Sequence, residues 1–269
     1  MITKQISEFS YGYAVTSELI NKNSSCGAAP FFPSLRFEGG AGGGFDVAIE
    51  YLHATPIFVQ FKLSEKLTRS TASQYHKFNS EYFRFPIWSK KVSRQHELLI
   101  ALAKNYPRVY YVAPRFHTID ELNKHFLNSR VIENSIFVRP AEIGEIKDFD
   151  DHVFAFHKEP AKGRYFCSEA CPVEEVNVWQ DLVNGLKEPK LTFYFVRELT
   201  FKMLEILKSR GHSFASQEIS ADLEKKENSE SLIASTASFV ARNFFGCELA
   251  FVFRKPDNSF QSRYGVNTR

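Results

Sequence analysis

Two neighbouring runs of the chain alternate apolar and polar residues with a period of two. Residues 45–52 read FDVAIEYL, and residues 57–63 read IFVQFKL. Such alternation predicts β-strands, because successive side chains of a strand point to opposite faces. The four residues 53–56 between the runs, HATP, have the length and composition of a hairpin turn. We therefore predict an antiparallel hairpin over residues 45–63.

Further periodic runs predict the elements around this hairpin. Helices are expected over residues 7–22, 93–105 and 118–129, the last with a capping box of Thr118 and Glu121. Strands are expected over residues 31–37, 109–113, 136–138 and 152–156. Up to residue 113 the predicted order is therefore helix, three strands, helix and strand.

The predicted hairpin collects three polar side chains on one face. Asp46 lies across from Gln60 and Lys62 when the two strands pair about the turn. A carboxylate beside a second oxygen ligand can hold a divalent cation, and Mg²⁺ favours oxygen ligands. A nearby lysine can orient or deprotonate a water and offset charge that develops on a phosphate. Alternatively, these three polar side chains are the solvent-exposed face of an ordinary β-hairpin.

The pattern Asp46, thirteen residues, then Gln60-Phe61-Lys62 resembles the active-site hairpin of the PD-(D/E)xK nuclease superfamily. It is most similar to the Mrr-like branch, in which glutamine replaces the acidic residue and a glycine-rich stretch precedes the aspartate. Phe45 stands where that motif has its proline. The element order predicted above agrees with the common core of the superfamily. The glycine-rich residues 39–44 lack the Gly-Lys-Ser/Thr ending of a P-loop, which argues against nucleoside triphosphate binding.

The resemblance implies a role for each residue of the motif. Asp46, Gln60 and the carbonyl oxygen of Phe61 would hold Mg²⁺, with Mn²⁺ as a substitute. Lys62 would organise the attacking water and neutralise phosphate charge.

The first helix supplies the remaining acid that the resemblance calls for. The first core helix of the family commonly contributes a glutamate to the metal site, and the helix over residues 7–22 carries Glu8 and Glu18. Glu18 is the better placed candidate because it lies near the helix end. Glu8 would instead complement the positive end of the helix dipole. The alternative for Glu18 is a solvated surface acid.

Residues 64–94 form a basic segment with interleaved aromatic residues. Six of its basic residues are predicted to contact nucleic-acid phosphates: Lys66, Arg69, Arg84, Lys90, Lys91 and Arg94. Its aromatic side chains are expected to stack on bases, or alternatively to pack on the core: Tyr75, Phe78, Tyr82, Phe83, Phe85 and Trp88.

Past residue 160 the pattern becomes mostly helical. Helices are predicted over residues 191–209 and 229–245, and a short strand over residues 250–253. We predict a restriction-endonuclease-like nuclease core over residues 1–160 and a helical C-terminal extension over residues 161–269. The extension shows no catalytic constellation, and we expect it to serve oligomerisation or contact with a partner.

Composition narrows the class of protein. The chain has 269 residues, a net charge of +3 and 27 phenylalanines, and its mean hydropathy is −0.28. These values are typical of a folded soluble protein, and they permit nucleic-acid binding without requiring it. Of the four cysteines only Cys167 and Cys171 are close, which favours reduced thiols over a zinc site. The chain has no apolar run of membrane-spanning length and no signal region, so we expect a cytoplasmic protein without membrane contact.

Together these features predict an α/β protein with a restriction-endonuclease-like mixed sheet flanked by helices. The predicted function is that of a Mg²⁺-dependent endonuclease acting on DNA, and the resemblance adds a role in prokaryotic antiviral defence. Two alternatives stay open. One is a catalytically inactive nuclease fold that binds nucleic acid. The other is a subunit that docks a second copy of itself or a partner protein such as an ATPase.

Overall fold

The computed structural model describes residues 6–22, 54–88, 91–159, 164–166, 171–172, 176–177, 193–225 and 230–253. Five predicted features lie outside these residues: the strand over 31–37, the glycine-rich stretch, the strand over 45–52 with Asp46, His53, and Lys90.

The described part is a mixed α/β fold, and its first sheet has four strands. In spatial order they are β5 (Ser135–Val138), β4 (Val109–Pro114), β1 (Ala54–Phe61) and β9 (Glu248–Phe253). β1 pairs parallel with β4 and antiparallel with β9, so the sheet is mixed. The strand with the Gln60-Phe61-Lys62 motif is therefore an inner strand.

The second sheet has five strands, all paired antiparallel. Their spatial order is β2 (Glu65–Leu67), β3 (Tyr82–Ile87), β6 (His152–Phe156), β7 (Arg164–Phe166) and β8 (Cys171–Pro172). Much of the predicted basic segment belongs to this sheet, because it contains β2 and β3.

Helices flank the two sheets. The described helices are α1 (Glu8–Lys22), α2 (Tyr75–Phe78), α3 (Gln95–Ala103), α4 (Ile119–Leu127), α5 (Pro140–Ile143), α6 (Phe193–Ser209), α7 (Ser213–Lys225) and α8 (Glu230–Val240), which continues into a π-helix (Ala241–Phe245). The predicted capping box of α4 is confirmed, since the Thr118 side chain accepts from Glu121 N and the Glu121 carboxylate accepts from Thr118 N. None of the described helices combines the length and the apolarity needed to cross a bilayer.

Side-chain alternation along β1 separates two hydrophobic clusters. Ile57 and Val59 pack in one cluster with Tyr11 and Val15 of α1. Phe58 points the other way, into a larger cluster that also contains residues of α3, α6, α8, β3 and β9. This larger cluster includes residues from both sides of residue 160, so the predicted domain boundary does not separate two cores.

The turn predicted over residues 53–56 is wrong for its described residues. Ala54, Thr55 and Pro56 belong to β1 and pair with β9 in a register that sets Pro56 against Phe251. Phe58 N donates to Arg108 O of the segment leading into β4. Residues two apart in a strand point their backbone nitrogens to the same side, so the nitrogen of Pro56 faces the β4 edge, as that of Phe58 does. Pairing with β4 begins only at Phe58. The missing N–H of Pro56 therefore removes no hydrogen bond between the strands.

Candidate active-site cleft

A cleft of about 640 Å³ opens where five elements meet. Its walls come from α1, the end of β1, the first residue of α3, the π-helix and the start of β9. The motif residues Gln60, Phe61 and Lys62 all line it. The structure therefore brings the predicted motif to a concave surface that is large enough for a small ligand or one unit of a polymer.

Backbone pairing fixes how the motif enters this cleft. Gln60 and Lys62 share the strand face of Phe58, whereas Phe61 packs toward α1, where a Cβ on Gly12 would lie 2.9 Å from its ring. Lys62 N donates to Val112 O at 2.8 Å, which extends the pairing with β4 one residue beyond β1. The polar pair is thus carried on a paired strand rather than on a loop.

Gln60 carries an unusual polar atom. Its side chain is 6% exposed, and its Oε1 accepts no hydrogen bond from the described part of the chain. A buried acceptor without a donor costs about 1–3 kcal/mol relative to one that is paired. An amide oxygen in this state is suited to a cation or a bound water.

The carbonyl of Phe61 is the second backbone feature of the motif. Since Phe58 N and Lys62 N donate toward β4, the peptide groups of the odd-numbered residues face β9. The register with β9 ends at Val59. The Phe61 carbonyl therefore faces the β9 side of β1, but it lies beyond Val59, the last residue of β1 that pairs with β9.

Lys62 lies above a buried aromatic ring. Its Nζ is 5.7 Å from the centroid of Tyr111, whose backbone is the register partner of Gln60 in β4. Tyr111 is itself held by His96 of α3, with 2.9 Å between the tyrosine hydroxyl and Nδ1. The other ring nitrogen of His96 lies 2.9 Å from Gly144 O.

These contacts determine the tautomer of His96. Gly144 O can only accept, so Nε2 carries the proton and Nδ1 accepts from the Tyr111 hydroxyl. Burial lowers the pKa of His96 below its usual value, although the hydrogen bond to the Gly144 carbonyl partly opposes this. Burial likewise raises the pKa of Tyr111. Both groups are therefore neutral near pH 7 and form a fixed support under Lys62.

The C-terminal region supplies an ion pair to the cleft, which the sequence did not reveal. Arg242 of the π-helix donates from Nε to Glu248 Oε2 at 2.6 Å, and its second guanidinium nitrogen is also 2.6 Å from that oxygen. Both residues line the cleft. The only sequence signal was a short strand predicted near residue 250, and nothing local indicated that it would pair with β1.

Gly246 makes the turn from the π-helix into β9. Its φ of 62° is left-handed, and its carbonyl accepts from Gln95 Nε2 at 3.2 Å. An added Cβ would lie 1.6 Å from that same nitrogen. Glycine is therefore required both by the backbone and by the close approach of Gln95.

Gly246→Ala is accordingly expected to lower the free energy of unfolding by about 2–3 kcal/mol. The matched control is the same substitution in a Gln95→Ala background, which removes the side chain that the added Cβ would meet. There Gly246→Ala should lose only the cost of the left-handed backbone, about 1–2 kcal/mol. Urea titrations in the two backgrounds measure the difference, and equal losses would show that the Gln95 side chain moves aside without cost.

The two acids of α1 lie on different sides of the helix. Glu8 lines the cleft together with Gly12 and Thr16. Glu18 is buried elsewhere, and its Oε2 accepts from the backbone nitrogens of Val131 and Ile132. An α-helix turns about 100° per residue, so Glu18 lies on a different face of α1 from Glu8, Gly12 and Thr16. The structure thus replaces Glu18 by Glu8 as the α1 acid at the cleft.

The predicted phosphate-contacting residues are mostly engaged with other groups. Their partners are as follows: Lys66 pairs with Glu81 at 2.9 Å, Arg84 with Glu65 at 3.1 Å, Arg94 with Glu97 at 3.1 Å and with Arg210 O at 2.6 Å, and Lys91 lies 5.7 Å from the Phe149 ring centroid. Arg69 is exposed, and Lys90 lies outside the described residues. The five described residues of this set do not line the cleft.

The aromatic residues of the same segment largely pack on the core. Phe78, Tyr82, Phe83 and Phe85 are buried, and Phe83 and Phe85 belong to the larger cluster. Trp88 is 46% exposed. The alternative of core packing is therefore correct for these four residues.

Within the described residues, no three His, Cys, Asp or Glu side chains form a group that could hold a metal ion. No protein-family model, curated protein or solved structure matches the chain.

Proposed function

We propose that this protein is a metal-dependent nuclease of the PD-(D/E)xK type that cleaves DNA in the cleft at the end of β1. The observation that carries the proposal is that Gln60, at the end of β1, and Lys62, directly after β1, share one strand face and both line one cleft. Gln60 adds a buried oxygen that accepts no hydrogen bond from the described residues.

The arrangement of elements supports the same proposal. β1 and β4 are parallel neighbours, and α3 lies between them in the chain. In the chain, β2, α2 and β3 also lie between β1 and α3. The features that agree with the order implied by the resemblance are a helix before the motif strand, and a helix followed by a strand after it.

The proposed cofactor is Mg²⁺, with Mn²⁺ as a substitute. Gln60 Oε1 and the Phe61 carbonyl would be ligands, and oxygen donors fit a hard cation. Asp46, which lies outside the described residues, would be a third ligand, as the resemblance implies. When bound, the ion lowers the pKa of a coordinated water and stabilises negative charge on a phosphate.

Lys62 has two tasks in this proposal. Its ammonium, which lies over the Tyr111 ring, can hold a water by hydrogen bonding and can offset the charge that develops on the scissile phosphate. The ring of Tyr111 is buried in the larger cluster and gives Lys62 a fixed surface to lie on.

Supercoiled plasmid and linear DNA, each incubated with Mg²⁺, Mn²⁺ or EDTA, test the proposal. We expect cleavage in both metals and none in EDTA, and we expect Asp46→Asn to bind DNA but not cleave it. Removing a negative charge near the phosphate lowers repulsion when no metal is present. DNA binding by the wild type without cleavage in either metal would favour an inactive nucleic-acid-binding protein instead.

Tyr111→Phe tests whether Lys62 depends on the ring of Tyr111 or on its hydroxyl, and it separates that effect from a loss of stability. The substitution keeps the ring under Lys62 but leaves the buried His96 Nδ1 without its donor, which should cost about 1–3 kcal/mol of stability. The cleavage rate of the folded variant should stay near that of the wild type, whereas Tyr111→Leu should lose most of it. Thermal unfolding and single-turnover cleavage measure the two effects. Equal losses of cleavage in both variants would mean that the hydroxyl, not the ring, matters to Lys62.

A further inference from the structure

We infer that Arg242 binds a backbone phosphate of the nucleic acid, and that Glu248 occupies Arg242 until the substrate displaces it. The inference rests on the proposed function, because it assigns a substrate contact within the same cleft. It gives the C-terminal region a direct role in binding.

The guanidinium of Arg242 has N–H donors that its ion pair with Glu248 does not use. An arginine side chain has five N–H donors in a planar fork. Nε donates to Glu248 Oε2, and one terminal nitrogen lies 2.6 Å from the same oxygen. Even when both contacts are counted, three N–H groups of the side chain are not used by Glu248 and can bind a phosphate.

Both members of the pair are accessible from the cleft. The side chain of Arg242 is 33% exposed and that of Glu248 is 35% exposed. A carboxylate with this much exposure to water binds its partner weakly, because solvent screens exposed ion pairs. An incoming phosphate can therefore replace Glu248 at modest cost.

Backbone pairing sets Glu248 at the end of β1. Glu248 is the register partner of Val59 and shares its sheet face on the α1 side, whereas Gln60 and Lys62 lie on the other face. The cleft is lined by residues of both faces. The Gly246 turn then brings the π-helix with Arg242 over the same end of β1. A phosphate held by Arg242 would lie in the cleft that Gln60 and Lys62 also line.

The charges in the cleft explain why Glu248 competes with the substrate. Lys62 and Arg242 are the cationic residues among its described lining, and Glu8 and Glu248 are the anionic ones. The planar fork of arginine matches phosphate oxygens as well as a carboxylate. Removal of the Glu248 charge should therefore favour a bound phosphate, and removal of the Arg242 charge should disfavour it.

The test is equilibrium binding of a fluorescently labelled DNA duplex, measured in EDTA and again in Ca²⁺. Arg242→Met is expected to weaken binding by about 10-fold to 100-fold, because it removes charge-assisted hydrogen bonds. Arg130→Met is the matched control. Arg130 pairs with Glu133 at 2.6 Å, as Arg242 does with Glu248, but lies outside the cleft. Its substitution changes the net charge equally and should alter affinity less than about threefold.

Glu248→Gln distinguishes a change in the phosphate contact from a folding defect. It is expected to tighten binding several-fold, a gain that a destabilised protein would not give. Unchanged or weaker binding by Glu248→Gln would overturn the idea that this carboxylate competes. Equal affinities of Arg242→Met and Arg130→Met would overturn the phosphate contact.

The same measurements separate this inference from the proposed function. If the wild type cleaves DNA while Arg242→Met binds like the control, the phosphate contact fails and the nuclease proposal stands. If the wild type never cleaves but its binding depends on Arg242, the contact stands and the nuclease proposal fails. Absence of binding by the wild type in both buffers would overturn the two together.

Discussion

Lys62→Ala is expected to reduce metal-dependent DNA cleavage by a factor of about 100 to 1,000, which is typical for loss of one positioned group that stabilises charge. The lysine follows β1 directly and is fixed by its backbone hydrogen bond to Val112 and by its position over Tyr111. Its side chain is only partly buried, so the substitution should change the melting temperature little. Single-turnover cleavage at saturating protein measures the effect without interference from product release.

Lys202→Ala provides the control for this experiment. Lys202 of α6 pairs with Glu205 at 2.9 Å at the surface rather than lining the cleft. The same loss of a positive charge there should leave cleavage within about twofold of the wild type, since surface ion pairs contribute little. Wild-type cleavage by Lys62→Ala would remove the lysine from the proposed mechanism.

Gln60→Leu is expected to abolish cleavage while the protein keeps or gains stability. Ordinarily a buried polar residue replaced by leucine loses hydrogen bonds, but Gln60 Oε1 accepts none from the described residues. Replacing an unpaired buried oxygen by an apolar group of similar size is neutral or stabilising. Loss of function without loss of stability is the behaviour of a ligand-binding residue that weakens its own fold. Thermal unfolding and plasmid cleavage on the same sample give both values.

Two further variants make the Gln60 experiment decisive. Gln74→Leu removes a glutamine whose Oε1 accepts from the Tyr82 hydroxyl at 3.0 Å, so it should destabilise the fold by about 1–3 kcal/mol. Gln60→Glu restores the acid that the resembled motif usually carries and should retain cleavage. A loss of stability in Gln60→Leu as large as that in Gln74→Leu would assign Gln60 a structural role.

The assembly of the cleft bears on how the protein is divided for experiments. β9 pairs with six residues of β1, and Arg242, Gly246 and Glu248 form one wall of the cleft. A chain cut near residue 160 would lose that wall together with α6 and α8, whose residues share the larger hydrophobic cluster. Assays of the proposed activity therefore require the full chain.

Several elements could be read from short stretches of sequence because their causes are local. The capping box of α4 needs only Thr118 and Glu121, three residues apart. The alternation that puts Gln60 and Lys62 on one face follows from the pleat of a single strand. The apolar run over 109–113 predicts a buried strand for the same reason, and β4 occupies it.

Other features depended on partners that are remote in the chain, so no local pattern could reveal them. Residues 54–56 have turn-like composition, yet they extend β1 because β9, nearly 200 residues away, supplies a pairing edge. Glu18 is turned to the backbone nitrogens of Val131 and Ile132, whereas Glu8 faces the cleft. Phe83 and Phe85 of β3 are core residues because they stack on Phe156 and Phe154 of β6 and share the larger cluster with residues of α3. The ion pair of Arg242 and Glu248 reaches the cleft only through the long-range contact of β9 with β1, which tertiary packing alone decides.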